Sequence, residues 1–541
     1  MKKTIFCNGT ILTMDSNEPK AEAVVVEGGK ILEKGGFDKL TSCHPDAEIF
    51  DLQGKTMMPG LNDSHCHMVN LGLTLTTVNL KGAKSIGEIG RRVNEFIKKT
   101  KPEKGSWIWG RGWHDTDFEI QRMPTKEDLD GITTDYPLAL MRSCGHVYAV
   151  NTKALELAGI TEDTPEPPGG EIRRNEKGEP SGILTENAIF LINKKIPQFN
   201  KDRLKEILST ACEEARKNGV TTVQSEDFKT AGGYKQVIKA YRELLEEGRL
   251  PVRVDEQMYF ESADKLLEFL QGDYEQLKKG FDDMVTFGPL KILLDGSLGG
   301  KTAYMKKPYI GEGDYRGVLI HQPEELYELM EIAHKNGIQV ACHAIGDGAI
   351  QLFTDTVERL QKKLPKKDIR HRVIHCQITD HKLLERIAGL NICVDAQPSF
   401  VSTDYKIVED RVGKEKARTS YAWKTMLGLG IPVGFGSDCP VENIDPFAGL
   451  YAAVTRMDLD GNPEGGWNPQ EKLTIEEALR MYTMGSAYVC RKEHKIGSIE
   501  AGKYADMIVL DKNPLEIKAE ELPKLKVLYT VVNGIVRGVN C

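Results

Sequence analysis

The sequence predicts an α/β fold: a closed (β/α)8 barrel with a small β-sandwich built from both termini and an insertion after the first barrel strand. Three observations lead there. Four times a helical stretch ends at glycine and runs directly into a short apolar strand: ARKNGVTTV from Ala215, AHKNGIQVAC from Ala333, RIAGLNICV from Arg386 and MLGLGIPVGFG from Met426. Glycine supplies a left-handed helix cap, and a strand apolar on both faces belongs to a parallel sheet. Strands of this kind number eight, near Leu61, Thr221, Val254, Ile292, Val340, Val373, Ile392 and Val433. Eight βα repeats favour closure, because an open sheet of that width splits or gains edge strands. Finally, both ends of the chain read alike: Thr4 to Phe50 has short β-rich segments with NG and GG turns, and ADMIVLDKNP and KVLYTVVNGIVRG repeat the pattern near the C-terminus.

The elements follow in chain order. Residues 1–58 form the N-terminal part of the sandwich, 59–488 the barrel and 489–541 the C-terminal part. The apolar run Tyr136 to Met141 falls outside the strand count. It lies between the first and second strands, where a βα connection needs far fewer residues, so an inserted subdomain is expected over about 72–200.

Composition limits the function. A chain of 541 residues, 40% hydrophobic and 28% charged, can bury a sizeable core. Eighty acidic residues against 72 basic ones give a net charge of −8, too acidic for a main partner that is a nucleic acid or an anionic membrane. The expected partner is a small neutral or cationic substrate, with a homodimer left open. Eleven cysteines without a CxxC pair argue against a disulfide framework or a zinc knuckle and fit a reducing compartment. MKKTIFCNGTILTM is interrupted by Asn8, Gly9 and Thr10 and reads as strand and turn rather than a signal peptide. No apolar run reaches membrane-span length, so the expected location is the cytoplasm.

Residues suited to chemistry fall at strand ends. His65 and His67 are two apart on the first strand, so both rings project to one side and can grip one metal ion. His343 and His375 end two later strands, where polar residues point to the catalytic face. Asp438 closes the last strand and can bind metal or accept a proton; its alternative is a helix cap. Lys291 lies inside an apolar strand, where an unpaired ammonium is costly. It needs either a partner carboxylate, with Asp295 on the same strand face, or reaction with carbon dioxide to give a carbamate. Cys66, Cys342 and Cys376 read as small outward-facing apolar side chains. His44, His321, His334, His371, His381 and His494 read as surface residues.

The set PGLNDSHCHM, Lys291, His343, His375 and Asp438, at the ends of strands one, four, five, six and eight, resembles the amidohydrolase superfamily of metal-dependent hydrolases. KIGSIEAGKYADMIVLDKNPL resembles the C-terminal signature of that group. WGRGWHDTDF, RSCGHVYAVNTKAL, GGEIRRNEKGEPSGIL and LLDGSLGGKTAYM resemble its third amidohydrolase family, the branch that includes N-substituted formamide deformylases. The resemblance implies a TIM-like barrel with a terminal sandwich and one or two divalent ions, usually zinc. By position, His65, His67 and Asp438 would hold one ion, His343 and His375 the other, and carboxylated Lys291 would bridge them.

Such a centre would acidify water for attack on an amide or related C–N bond, with Asp438 as general base and acid. A deaminase, an esterase or lactonase on the same centre, and a metal-free scaffold are the alternatives. Trp107, Trp109, Arg111, Trp113, His114 and His146 of the insertion would roof the pocket, with core packing the equal alternative for the tryptophans; His146 is the stronger substrate contact. Lys301 stands where relatives often carry arginine, and lysine makes a poorer anion clamp.

Overall fold

The computed structural model describes residues 3–144, 146–195 and 201–539. The chain divides into two compact units, Met1–Asn70 with Ala211–Cys541, and Leu71–Thr210.

In the first unit eight strands run parallel in sequence order: Leu61–Cys66, Val220–Ser225, Arg253–Tyr259, Val285–Leu293, Val340–Ala344, Arg372–His375, Cys393–Ala396 and Val433–Phe435. All eight expected strands are present. The last meets the first at the C-terminal rim, where Asp438 N–H donates to the His65 carbonyl at 2.8 Å and His67 N–H to the Cys439 carbonyl at 3.0 Å. Helices alternate with the strands, among them Tyr234–Glu246, Ala263–Gln271, Pro323–Lys335, Asp347–Lys363 and His381–Gly389. Three of the four predicted glycine caps hold, with φ of 79° at Gly219, 71° at Gly337 and 73° at Gly430; after the fourth helix Asn391, at φ 52°, takes the left-handed turn instead of Gly389. Asparagine tolerates that conformation through local hydrogen bonding.

The barrel interior is unusually polar. Barrels of this kind are generally filled by branched aliphatic side chains. Here Arg372 lies 3.4 Å from Asp395 with both fully buried, and its Nη1 also donates to Gln224 Oε1 at 2.5 Å. Gln224 in turn donates to Asn62 Oδ1 at 3.0 Å and to the Ser486 carbonyl at 2.9 Å. This network ties the first, second, sixth and seventh strands together beneath the rim.

Strands from both ends of the chain share one six-stranded sheet: Thr56–Pro59 pairs antiparallel with Met507–Leu510, beside Val527–Val532 and Ile535–Gly538 on one side and Thr10–Leu12 and Lys20–Ala21 on the other. A four-stranded sheet, Lys30–Gly35, Ala23–Glu27, Lys3–Cys7 and Glu48–Asp51, shares a core with it that includes Phe6, Val24, Met57, Met507 and Val531. Arg253 of the third barrel strand anchors these sheets through a buried ion pair with Asp506 at 2.5 Å, its guanidinium stacked 3.8 Å from the Tyr504 ring centre.

Two histidines correct the sequence reading. His334 and His371 are buried, not on the surface, because both lie under the start of the fifth and sixth strands, where helix and barrel pack. Val340 N–H donates to His371 Nδ1 at 3.0 Å, His371 Nε2 meets His334 Nδ1 at 2.9 Å, and His334 Nε2 meets the Leu364 carbonyl at 2.7 Å.

The second unit is built on a mixed six-stranded sheet, ordered Gly170–Arg174, Pro180–Glu186, Val147–Val150, Leu138–Arg142, Ile108–Trp113, Val78–Asn79. The run Tyr136 to Met141 supplies one of its inner strands. Helix Ile86–Thr100, capped by Ser85 Oγ accepting from Glu88 N–H at 3.1 Å, packs Ile89 and Val93 into one of the unit's cores. Among the described residues, no helix is long and apolar enough to cross a membrane.

Candidate metal centre

Five segments deliver the predicted ligands to the barrel rim. Alternation along the first strand puts His65 and His67 on one side of the chain, with ring centroids 5.0 Å apart. Asp438 follows the eighth strand with φ 57°, a left-handed turn that swings its carboxylate back over the first strand. Its Oδ1 lies 3.4 Å from His65 Nε2 and 3.2 Å from His67 Nε2, and one donor atom from each of the three falls within 4.8 Å of the others. Lys291 of the fourth strand places Nζ 3.1 Å from His65 Nε2. His343 of the fifth strand and His375 of the sixth meet Nδ1 to Nε2 at 3.0 Å, and the His375 ring lies 5.9 Å from that of His65.

Each imidazole is anchored through the nitrogen that faces away from the centre. His65 Nδ1 meets Gln257 Oε1 at 3.1 Å, His67 Nδ1 the Glu226 carbonyl at 3.0 Å, His343 Nε2 the Gly296 carbonyl at 3.2 Å and His375 Nδ1 Gln397 Oε1 at 2.7 Å. All four partners are acceptors, so all four remote nitrogens carry the hydrogen. A neutral ring has one hydrogen, so in His65, His343 and His375 the nitrogen turned inward keeps a lone pair. His343 Nδ1 and His375 Nε2 thus face each other as two acceptors. A cation between them satisfies both, and outward hydrogen bonds of this type are what ligating histidines make.

The electrostatics keep most of these donors proton-free. Burial, reinforced by neighbouring rings and Lys291, holds His65 and His343 well below the usual imidazole range, and burial brings His375 down to about 4. His67 differs: burial pulls it down, but the adjacent Asp438 carboxylate outweighs this and raises it. Burial pushes Asp438 up, yet His67, His375 and Lys291 together hold it below the ordinary aspartate value. Burial lowers the Lys291 ammonium to about 8 against the opposing pull of Asp438 and Glu226. Neutral imidazoles and an ionised carboxylate are the protonation states that bind a divalent metal, and an N/O donor set of this kind suits zinc.

Asp295 is not the partner of Lys291. Its carboxylate accepts from the main-chain N–H groups of Tyr304, Ile345 and Gly346 at 2.9, 3.0 and 2.9 Å, because the loop after the fourth strand turns it toward the fifth. Cys66, Cys342 and Cys376 are buried, and all ten described cysteines are free.

The proposed substrate contacts fare differently. Trp113 cannot line a pocket: it is fully buried in the core of the second unit and donates its indole N–H to the Leu140 carbonyl at 2.9 Å. A register shift between Arg111 and Trp113 turns the ring to the same side as Ile108, a reversal that simple alternation does not foresee. Trp107 and Trp109 pack against the other core of that unit. Arg111 is exposed; His114 contacts Arg142 Nη2 at 2.9 Å; His146 is exposed, 3.0 Å from Glu186. The Lys301 ammonium is paired with Glu312.

Sequence reasoning missed Gln257, Gln397, Glu226 and Asp63. Asp63 accepts from Ser437 Oγ at 2.5 Å, Ser437 N–H at 3.0 Å and His65 N–H at 3.1 Å, so it fastens the first strand to the turn that presents Asp438. Asp63 and Gln257 lie within barrel strands that carry several polar residues, and Glu226 and Gln397 one residue past the ends of theirs.

Comparison with known proteins points to one family. A model of the amidohydrolase family matches residues 48–537. YtcJ of Bacillus subtilis, named as a presumptive amidohydrolase, is 37% identical over 98% of both chains. The N-substituted formamide deformylase of Arthrobacter pascens is 28% identical over 99% of this chain and 98% of its own. The crystal structure of an uncharacterized metal-dependent hydrolase from Pyrococcus furiosus superposes with a TM-score of 0.78 at 31% identity, covering 95% of this chain and 100% of that one.

Proposed function

Because this chain belongs to the amidohydrolase family and is a metal-dependent hydrolase, we propose that it cleaves a non-peptide C–N bond in a small-molecule amide, an N-substituted formamide or N-acyl amine. The proposed site is the rim formed by His65, His67, Lys291, His343, His375 and Asp438. The observation that carries this reading is the 3.0 Å approach of His343 Nδ1 and His375 Nε2, each in a ring whose other nitrogen already faces an acceptor. The formamide assignment is supported by the full-length likeness to a formamide deformylase. A cytoplasmic setting is supported by the ten free cysteines among the described residues.

When bound, a divalent cation, zinc by the donor set, supplies Lewis acidity to water and to the substrate carbonyl. His65, His67 and Asp438 would hold one ion, and His343 and His375 a second. Asp438 accepts the proton of the attacking water on a carboxylate oxygen and returns it to the departing nitrogen. Neutral Lys291 would form an N–C bond to carbon dioxide with release of a proton, and the resulting carbamate would supply an anion between the two ligand groups. Burial favours that neutral amine.

A hydrolysis screen across formamides, N-acyl amines, lactones and aminopurines, with and without chelator, tests the proposal. It predicts turnover of formamides or acyl amines that chelator abolishes and zinc restores. Chelator-insensitive turnover contradicts the metal reading, and preference for lactones or aminopurines overturns the bond assignment.

A further inference from the structure

We propose that Gln257 and Gln397 are positioning residues that hold His65 and His375 in the tautomer a cation needs; the inference rests on the metal reading above. The four rim imidazoles are anchored in two ways. His67 and His343 give their remote N–H to main-chain carbonyls, those of Glu226 and Gly296, which belong to the backbone and cannot rotate away. His65 and His375 depend instead on side-chain amides, from a residue of the third barrel strand and one just past the seventh, two strands that carry no ligand.

The two ends of an amide are told apart by their neighbours. Gln257 Nε2 faces the Ser64 carbonyl at 3.3 Å and the Gln224 carbonyl at 3.4 Å. Both groups only accept, so the NH2 lies there and Oε1 is committed to His65 Nδ1 at 3.1 Å. Gln397 Nε2 likewise donates to the Asp395 carbonyl at 3.2 Å, leaving Oε1 2.7 Å from His375 Nδ1. Both glutamines are buried, so water does not stand in for either oxygen. An amide oxygen has no hydrogen to give. Each ring therefore carries its hydrogen on Nδ1 and presents a bare Nε2, the nitrogen that faces Asp438 in His65 and His343 in His375. A free imidazole favours the opposite tautomer, which would aim a hydrogen at the centre. The glutamines reverse that preference at two of the four ligands.

The test uses metal-free full-length protein, zinc titrated against a chelator, and long-range 1H–15N spectra of the histidine rings. Gln257→Met and Gln397→Met keep the volume and remove the acceptor. Each is expected to weaken zinc binding by about 10- to 100-fold, and to move only its own histidine toward the Nε2–H form, with His67 and His343 unchanged. Gln257→Glu keeps an oxygen facing Nδ1 and is expected to recover most of the affinity and the His65 signal. Zinc affinity within about threefold of wild type in both methionine variants, with both rings unmoved, would overturn the inference. So would equal losses in Gln257→Met and Gln257→Glu, which would assign the effect to packing. If Gln257→Met fails to fold, Gln397→Met carries the same test. Failure of the wild-type protein to bind zinc would overturn the metal reading itself, whereas normal wild-type binding with unaffected variants would overturn this inference alone.

Discussion

Two pairs of histidines belong to the fifth and sixth barrel repeats. Under the start of the strands His334 and His371 approach to 2.9 Å, and at the C-terminal ends His343 and His375 approach to 3.0 Å. The lower pair forms an unbroken chain: Val340 N–H gives to His371, His371 to His334, and His334 to the Leu364 carbonyl. Every ring nitrogen there has one role and a partner for it. At the rim both outer partners of His343 and His375 are acceptors, so two histidines at nearly the same distance are one hydrogen short. Proximity of histidines therefore does not mark a metal site; an unbalanced count of donors and acceptors does. Further strand ends add rings, an amine and a carboxylate to the unbalanced pair, and none adds to the balanced one.

The contrast can be broken from the rim side first. Asp438→Asn keeps the size and loses the basic oxygen; kcat on the best amide substrate should fall about 10²- to 10⁴-fold with unchanged circular dichroism. A loss below about tenfold would remove Asp438 from proton transfer. Next, His375→Gln should sharply reduce zinc content by elemental analysis. Lys291→Ala should also lower it, with partial rescue by short carboxylic acids if a carbamate bridges the two ligand groups. Undiminished zinc in Lys291→Ala would exclude the bridge.

The lower pair gives a pH test. Burial, with His334 and Arg491 nearby, holds His371 down to about 3, against the ordinary imidazole value of 6.5. Below pH 6.5 the unfolded chain takes up a proton that the folded chain refuses. Stability therefore falls as the pH drops from 6.5 toward 3 and levels off below that, at about 1.4 kcal/mol per pH unit for this group. Urea titrations of wild type and His371→Gln across that range should diverge, the variant showing the shallower slope. Parallel slopes would show that His371 is not held neutral. The smallest expected effect is the cost of His371→Gln at neutral pH, about 1–3 kcal/mol for a disturbed buried hydrogen-bond chain. Its zinc content should equal that of wild type, the opposite of His375→Gln.

Much of the fold was legible because helix stops and doubly apolar strands are local signals. The eight strands need no knowledge of distant contacts, and the ligands could be picked out because a histidine or aspartate ending such a strand is conspicuous. What escaped depends on contacts between segments. His334 and His371 look like surface residues because their sequence neighbours are polar, while their burial comes from helix Pro323–Lys335 packing on the barrel. Trp113 looked like a pocket wall until a register shift turned it into the core of its own unit. Asp295 shares a strand face with Lys291 in the sequence pattern, yet three main-chain amides of other segments capture it. Gln257 and Gln397 were unreadable for a related reason: a buried glutamine has no chemical signature until the ring it orients is known.

The most direct measurement is anomalous X-ray scattering at the zinc edge from crystals of the zinc-loaded protein. A peak is expected about 2.0–2.1 Å from both His343 Nδ1 and His375 Nε2, with the two rings moved apart to admit it. Density showing those nitrogens still in mutual contact, joined by a proton and with no scatterer within bonding reach, would contradict that expectation.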